Sequence, residues 1–418
     1  MALTRSGTMK IEESFIKLLN YCEDADYKGW DPYDGLNSKF FKALPLVSKN
    51  RFFRLAWIQF FKRSAINFRK ITGVEKGVNP KGIALFISGY SALYNHTEKY
   101  RTASTHLKIE TLANRLIDLI SPGYSGACWG YNFSWQARAF FQPEFTPTVV
   151  ATTFAANALI DAYEITGNKK FLETAITAKD FVLKDLNRTY DSNGNFAFSY
   201  SPQDKTSVFN ASLLGARLLS RIYSYTKEET LSSLAKSTVI YCCGFQNKDG
   251  SWPYSPLPFH QWIDNFHTGF NLECIFDYMR FTGDTSFQHN FENGLKYYLE
   301  TFFDKEGRSK YYNNSLYPID IHAPSQLIVT LSKAKLFDGN RELIDRVTEW
   351  TVTNMQSAKG YFYYQKNKNY TNRIPYMRWS QAWIFYGLCH YLANSVDAEK
   401  ELKVERSGKY DFQNDKSV

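Results

Sequence analysis

A constant spacing of 56 residues between helix-ending turns is the sequence feature that most constrains the fold. These turns begin at Thr226, Thr282 and Asp338, and each one follows an apolar segment and precedes a more polar one. Self-similarity at a fixed period of this size is typical of stacked or closed arrays of helical hairpins. The chain is therefore predicted to be built from repeated pairs of helices.

Six segments are apolar over most of their length, which predicts buried helices. They are 82–96, 148–165, 208–225, 260–284, 320–337 and 377–394. Five amphipathic segments alternate with them, at 106–120, 171–186, 230–244, 287–303 and 341–355. The alternation predicts an all-α fold, an (α/α)6 barrel of six inner and six outer helices, with a helix at 50–71 as the sixth outer member. An open solenoid fits less well, because its inner helices would need a solvated concave face.

The same reading divides the chain into three parts. Residues 1–75 form an N-terminal helical extension, residues 76–394 form the barrel, and residues 395–418 form a polar C-terminal tail.

The N-terminal extension contains a basic, aromatic stretch. Between Gly35 and Val74 there is no Asp or Glu, while nine Lys and Arg match the formal net charge of +9. Such a stretch can lie on an anionic membrane surface, so residues 39–72 are a candidate for peripheral membrane contact. Alternatively, it is an outer helix with its rings turned inward. No recognised nucleic-acid-binding module accompanies the charge, so nucleic-acid binding is not expected.

Several signals bear on location and on bound groups. The N-terminus lacks the apolar core of a signal peptide, and no apolar run reaches the roughly 18 residues of a membrane span. Six Cys are scattered without a CxxC motif, which favours a reducing compartment. We predict a cytoplasmic protein, peripheral to the inner membrane if the basic stretch binds lipid. Neither a zinc-ligand spacing nor a Gly-rich phosphate loop occurs, so no metal and no cofactor are expected.

In an (α/α)6 barrel the N-terminal ends of all inner helices meet at one rim, where polar residues should collect. Asp264 and Asp320 begin neighbouring inner helices, and glycoside hydrolysis needs a pair of carboxylates. Both could instead be helix N-caps.

Two histidines lie beside these carboxylates. His267 and His322 are each within three residues of a rim Asp. Together with Tyr376 they could move a proton at a sugar carbon, as an epimerase or a lyase requires, while Arg378 or Arg138 holds a carboxylate. The alternative is a structural, hydrogen-bonded pair of histidines.

Aromatic residues make up 17% of the chain, and Tyr and Trp suit the walls of a sugar site because each has an apolar face and a polar tip. The predicted binding residues at the rim are Trp129, Tyr131, Asn132, Trp135, Gln136, Arg138, Asn210, Trp262, Trp379 and Gln381.

The segment QNKDGSW at 246–252 resembles the Gln-Trp motif of squalene cyclases, and 355–362 resembles a degraded copy of it. In that family the motif is structural and ties outer helices to loops, so the resemblance implies an α/α toroid. The catalytic Asp-x-Asp-Asp cluster of those cyclases is missing here, which argues against terpene cyclisation.

Residues 124–393 resemble a bacterial family of capsule and exopolysaccharide biosynthesis proteins. The resemblance is carried by WGYNFSWQAR, FSYSPQD, NASLLGA, QNKDGSWPY, WIDNFHTGF, PIDIHA and PYMRWSQAW. The toroid is also similar to six-hairpin glycosidases, polysaccharide lyases and sugar 2-epimerases. These resemblances imply a carbohydrate-active protein of surface-polysaccharide synthesis that binds a saccharide or a lipid-linked glycan. The alternative is a non-catalytic glycan-binding scaffold docked at the membrane.

Overall fold

A computed structural model of the protein describes residues 5–137 and 140–395. Inner helices 1 to 5 are Pro80–His96, Val149–Thr166, Phe209–Thr226, Asn265–Thr282 and His322–Lys333. Inner helix 6 begins with a π-helical turn, Met377–Ala382, and continues as an α-helix through residues 383–395. Each of the first four contacts the next, and inner helix 6 contacts inner helix 1. The remaining junction, between inner helices 5 and 6, is tied by a hydrogen bond of 2.8 Å between Ser332 Oγ and His390 Nδ1. The predicted ring of six inner helices is therefore closed.

Six outer helices surround this ring, and they are Arg5–Asp24, Ala103–Asp118, Lys169–Asp180, Glu229–Cys243, Gln288–Phe302 and Arg341–Met355. The remaining helices are Asp34–Asn37, Lys39–Lys42, Pro45–Ser48, Arg51–Arg63, Glu98–Tyr100, Phe181–Asp185, Pro258–His260 and Asp338–Asn340. Among the described residues, no helix has both the length and the apolar character that crossing a bilayer requires.

The loops at the rim contain short antiparallel strands. Trp135–Gln136 pairs with Phe141–Gln142, and Arg188–Tyr190 pairs with Phe196–Phe198. A third sheet orders Ile319–Asp320, Gln365–Lys366 and Thr371–Asn372, with Asp320 opposite Gln365.

Side-chain caps fix where several inner helices begin. Asn79 accepts from the backbone N–H of Lys81 at 3.1 Å, and Thr148 accepts from that of Ala151 at 3.0 Å. These oxygens satisfy N–H groups that have no partner within the helix. These caps therefore fix the first turns of inner helices 1 and 2 at the rim, whereas inner helices 3, 5 and 6 begin without a side-chain cap among the described residues.

The sixth outer position is occupied by Arg5–Asp24 and not by the basic stretch, which differs from the sequence prediction. Its residues Ile11, Phe15, Leu18 and Cys22 follow helical spacing and are all fully buried. The ring of Phe15 lies 5.5 Å from that of Phe385 on inner helix 6. The N-terminal helix therefore closes the outer layer.

Hydrogen bonds from two equivalent loops also show that Arg5–Asp24 closes the outer layer of helices. Gln246 Nε2 donates to the Asn290 carbonyl at 3.0 Å, and Gln356 Nε2 donates to the Ser14 carbonyl at 2.8 Å. Both glutamines belong to the segments that resemble the Gln-Trp motif. Each ties the end of one outer helix to the next, so Arg5–Asp24 follows Arg341–Met355 as Gln288–Phe302 follows Glu229–Cys243.

The basic helix Arg51–Arg63 lies at the rim instead. It buries Ile58 and Phe61, and Trp57 Nε1 donates to the Gly35 carbonyl at 3.0 Å. Of its four Lys and Arg side chains, Arg51 and Arg63 are exposed and Arg54 and Lys62 are partly buried. Charged side chains are rarely enclosed without partners, so a helix with this charge is disfavoured between two outer helices.

Candidate functional site

A cavity of about 250 Å³ opens at the rim, where the N-terminal ends of the inner helices converge. All six inner helices contribute to its lining, through Lys81, Val150, Asn210, His267, His322 and Arg378 among others. Such a volume lies just below that of typical drug-sized pockets and fits a small polar ligand such as one sugar unit.

Asp264 and His267 form a hydrogen-bonded pair on this wall. Asp264 Oδ1 accepts from the His267 backbone N–H at 3.0 Å, and Oδ2 lies 2.7 Å from His267 Nδ1. When Nδ1 carries the proton, Nε2 is the ring nitrogen left for a ligand. The carboxylate therefore both caps inner helix 4 and orients the imidazole.

His322 begins inner helix 5 and lines the same cavity. Its ring is stacked between Phe266, at 4.4 Å, and Trp383, at 3.9 Å. Neither ring nitrogen has a hydrogen-bond partner in the described structure, although the residue is only 1% exposed. Burial, followed by the charges of Lys81 and His267, holds its pKa well below the usual range. A buried imidazole that is neutral and unpartnered is available for chemistry.

Asp320 is fully buried and does not line the cavity. It accepts from the His322 backbone N–H at 2.9 Å, from Gln365 Nε2 at 2.7 Å and from Trp379 Nε1 at 3.0 Å. Burial raises the pKa of Asp320 to about 6, although these donors favour its ionised form. The carboxylates of Asp264 and Asp320 are therefore not both presented to one ligand.

Arg378 lines the cavity but is held by a carboxylate far away in sequence. Its Nε and Nη2 donate to Asp31 at 2.7 and 2.9 Å, so the pair is bidentate and buried. Tyr376 lies behind this pair, outside the cavity lining, with its ring 4.7 Å from Arg69 Cζ.

Aromatic rings supply most of the remaining wall. Trp262 is stacked on Tyr254 at 4.7 Å and is 37% exposed, and Tyr131 shares a hydrogen bond of 3.1 Å with Tyr200. Trp135, Trp379 and Asn210 also line the cavity, as the sequence predicted. Stacked faces with hydroxyl tips suit a sugar ring.

Other predicted binding residues have structural contacts and do not line the cavity. Trp129 is fully buried and donates to the Leu116 carbonyl at 2.7 Å. Asn132 accepts from Asn79, Gln136 bonds to loop carbonyls, and Gln381 bonds to the backbone of Phe362. Arg138 lies outside the described residues.

Sequence reasoning missed two lysines that line the cavity. Lys81 occupies the second position of inner helix 1, and Lys62 donates to the Tyr33 hydroxyl at 2.9 Å. The available signal for Lys81 was a lone cation in the first turn of an otherwise apolar inner helix, which is where His267 and His322 also occur. Within the part of the chain that the structure describes, no group of three or more His, Cys, Asp or Glu is placed to hold a metal ion.

Comparison with known proteins shows a likeness in fold without a likeness in sequence. No protein-family model matches the chain, and no curated protein sequence matches it. Cellobiose 2-epimerase from Bacillus thermoamylovorans B4167 is 13% identical, with a TM-score of 0.59 over 76% of this chain and 88% of that one.

Two further solved structures extend this result. Unsaturated glucuronyl hydrolase from Streptococcus agalactiae is 12% identical, with a TM-score of 0.56 over 94% of this chain and 93% of that one. A GH76 alpha-mannanase from Bacteroides thetaiotaomicron is 13% identical, with a TM-score of 0.54 over 76% and 87%. The chain is therefore an (α/α)6 toroid, and the predicted fold class is confirmed.

Proposed function

We propose that the protein is a sugar-processing enzyme that moves a proton at the carbon next to the carbonyl of an open-chain aldose, as an epimerase or isomerase does. The observation that carries the proposal is that His267 and His322 line one small aromatic cavity and that their imidazole rings differ in hydrogen bonding. One imidazole is held by a carboxylate, and the other is buried, neutral and unpartnered. Sugar-processing proteins among the structures of similar fold support it as well.

The two histidines divide the proton transfers. Neutral His322 takes the proton from C2, and the electron pair of the C–H bond passes into an enediolate. His267, whose imidazolium form is stabilised by Asp264, returns a proton from Nε2. Delivery to the opposite face of C2 inverts that centre, and delivery to C1, with transfer of the O2 hydroxyl proton to O1, gives the ketose. Arg378 places positive charge beside the enediolate. No oxidant or reductant is needed.

Deuterium exchange tests this proposal. Incubation with free and β-linked aldoses in D₂O should place deuterium at C2, detected by NMR, and should yield an epimer or a ketose. His322→Asn and His267→Asn should each slow exchange by about 100-fold or more. His289→Asn is the matched control, because His289 is exposed on an outer helix. Undiminished exchange in both site variants would refute the assignment.

Glycoside hydrolysis is a second candidate, favoured by one observation. A carboxyl with a pKa of about 6, such as that of Asp320, is typical of a general acid. Because Asp320 contacts Trp379 and not the cavity, this reaction would need a rearranged rim. Release of reducing ends from oligosaccharides in the same incubations, lost in Asp320→Asn, would favour hydrolysis over proton transfer. Saccharide binding with neither reaction would favour the glycan-binding scaffold.

We also propose that the substrate belongs to surface-polysaccharide synthesis and is met at a membrane. This proposal rests on the family resemblance and on the basic arm, defined as residues 39–72. The arm exposes large apolar side chains, including Leu46 at 90%, Phe52 at 71% and Ile71 at 84%, beside exposed Lys and Arg. Apolar side chains flanked by cations suit the interface of an anionic bilayer.

Vesicle flotation tests the membrane role of the arm. The protein should float with vesicles containing an anionic phospholipid at low salt, and should float less with neutral vesicles. The double variant Phe52→Ser/Leu46→Ser should not float, while Leu107→Ser, which changes an exposed leucine on an outer helix, should float normally. Equal flotation on neutral and anionic vesicles, or none on either, would contradict the proposal.

A further inference from the structure

We infer that the rim cavity takes an anionic sugar, one whose carboxylate or phosphate group lies against Lys81. The inference rests on the proposal that this cavity holds a sugar, and it names the class of that sugar. It does not depend on which reaction the histidines carry out.

The charged side chains of the cavity are unbalanced. Three cations, Lys62, Lys81 and Arg378, line it with one carboxylate, Asp264. Asp264 is engaged by His267, and Arg378 is neutralised by Asp31. Lys62 is half-buried and donates to a tyrosine hydroxyl.

Among the described residues, Lys81 is the cavity cation that has neither a counter-charge nor a hydrogen-bond acceptor. It is 4% exposed, and its Nζ lies 4.3 Å from the ring centre of Phe154, 5.2 Å from that of Phe270 and 5.3 Å from that of Trp383. Among the described residues, neither a carboxylate nor any hydrogen-bond acceptor reaches this ammonium group. Aromatic faces attract a cation, but they do not accept the three N–H bonds that a lysine offers.

The opposite end of the barrel shows how this chain treats other buried cations. A second cavity there, of about 510 Å³, is lined by Arg217, Arg221 and Lys333. Arg217 lies 2.6 Å from Asp277, Arg221 lies 2.7 Å from Asp161, and Lys333 lies 3.2 Å from Glu273. Each of these three cations has a carboxylate partner, whereas Lys81 has none in the described part of the chain.

The surroundings of Lys81 also work against its charge. The groups that face it are Arg378 on inner helix 6, Asp31 behind that arginine, and His322 on inner helix 5. Burial, followed by the charge of Arg378, lowers the pKa of Lys81 well below its usual range. A ligand anion would supply both the missing counter-charge and an acceptor, whereas a neutral sugar would supply an acceptor only.

Calorimetric titration compares glucose, glucuronate and glucose 6-phosphate on the whole protein. At least one anionic sugar should bind about tenfold more tightly than glucose, since a charge-assisted hydrogen bond replaces a neutral one. Preference for glucuronate identifies a carboxylate, and preference for glucose 6-phosphate identifies a phosphate. Equal affinities, preference for glucose, or no binding of either anion would overturn the inference.

Variants assign the preference to one residue. Lys81→Met keeps an apolar side chain packed against the aromatic rings. It should abolish the preference for an anionic sugar while leaving the affinity for glucose unchanged. Lys81→Gln is the second variant should the first not fold, and Lys296→Met, at an exposed outer-helix position, is the control. A preference that persists in either Lys81 variant would also overturn the inference.

Two patterns separate this inference from the proposed reaction. Lys81-dependent preference for an anionic sugar without C2 exchange means that the reaction is wrong and the inference stands. C2 exchange on neutral sugars without any preference for an anionic sugar means that the inference is wrong and the proposed reaction stands.

Discussion

Asp264 contacts His267 twice, through Oδ1 to the backbone N–H at 3.0 Å and through Oδ2 to Nδ1 of the ring at 2.7 Å. One carboxylate therefore has a structural and a chemical task, and both are directed at the same residue. The helix cap needs only an acceptor oxygen, whereas stabilisation of an imidazolium needs the negative charge. The two tasks can be separated by substitution.

Asp264→Asn should keep the fold and lose much of the activity. The amide oxygen can still cap inner helix 4, so the free energy of unfolding should change by less than about 1 kcal/mol. C2 exchange should fall by about 10- to 100-fold, because the imidazolium of His267 loses its counter-charge. Asp338→Asn, at a side chain with 82% exposure far from the rim, should change neither quantity. Equal loss of stability and activity in Asp264→Asn would mean that the residue is only a cap.

The acid limb of the pH–rate profile should lie well below pH 6.5. The pKa of His322 is lowered, so its ring stays neutral, and able to accept a proton, as pH falls through the usual range of histidine. Lowering the pH from 8 to about 6.5 should therefore not slow C2 exchange on a neutral sugar. An acid limb centred near or above pH 6.5 would show that His322 is not the base.

The inner ring could be predicted because its helices are apolar on nearly all sides and carry their own start and stop signals. Asp264 caps one of them and Gly283, in the left-handed conformation at φ 78°, ends it. Such signals are local, so they survive in a single sequence. The same local signals predict that His267 and His322 lie at one rim.

Contacts between distant parts of the chain had no such signal. Asp31, which pairs with Arg378, lies 347 residues away from it in sequence. No local sequence pattern near either residue indicates this ion pair. The sequence therefore predicts Arg378 as the anion-binding residue, whereas in the described structure Lys81 is the cavity cation with neither a carboxylate nor a hydrogen-bond acceptor. Likewise, the apolar stripe of Arg5–Asp24 shows an amphipathic helix but not the place that it takes in a closed ring.

Asp320 should make the wild-type protein less stable as pH rises. Its pKa is raised from 3.8 to about 6 by burial, so between those values the folded chain holds the proton more tightly than the unfolded chain. The stability that this protonation contributes is present below pH 3.8 and is lost as pH rises through 6. The free energy of unfolding of Asp320→Asn, relative to that of the wild type, should therefore rise by up to ~3 kcal/mol between pH 4 and pH 7. Urea denaturation at both pH values measures the difference, and a gap that is constant with pH would contradict the burial effect.

The same variant separates the two candidate reactions. Because Asp320 contacts Trp379 and Gln365 rather than the cavity, C2 exchange should change by less than about tenfold in Asp320→Asn. Hydrolysis with Asp320 as the general acid would instead lose about 100-fold or more.

Phe15→Ala and Ile16→Ala together test whether the N-terminal helix belongs to the barrel. The two residues are adjacent in sequence, but Phe15 is fully buried against Phe385 while Ile16 is 40% exposed. Removal of a buried phenylalanine side chain costs about 3–5 kcal/mol, whereas truncation of an exposed side chain costs about 0.5 kcal/mol or less. If Arg5–Asp24 is the sixth outer helix, Phe15→Ala should lower the free energy of unfolding of the whole barrel in one urea transition, followed by fluorescence of the nine tryptophans, and Ile16→Ala should not. A separate early transition in Phe15→Ala, with the main transition unshifted, would instead mean that residues 1–75 fold as an independent extension.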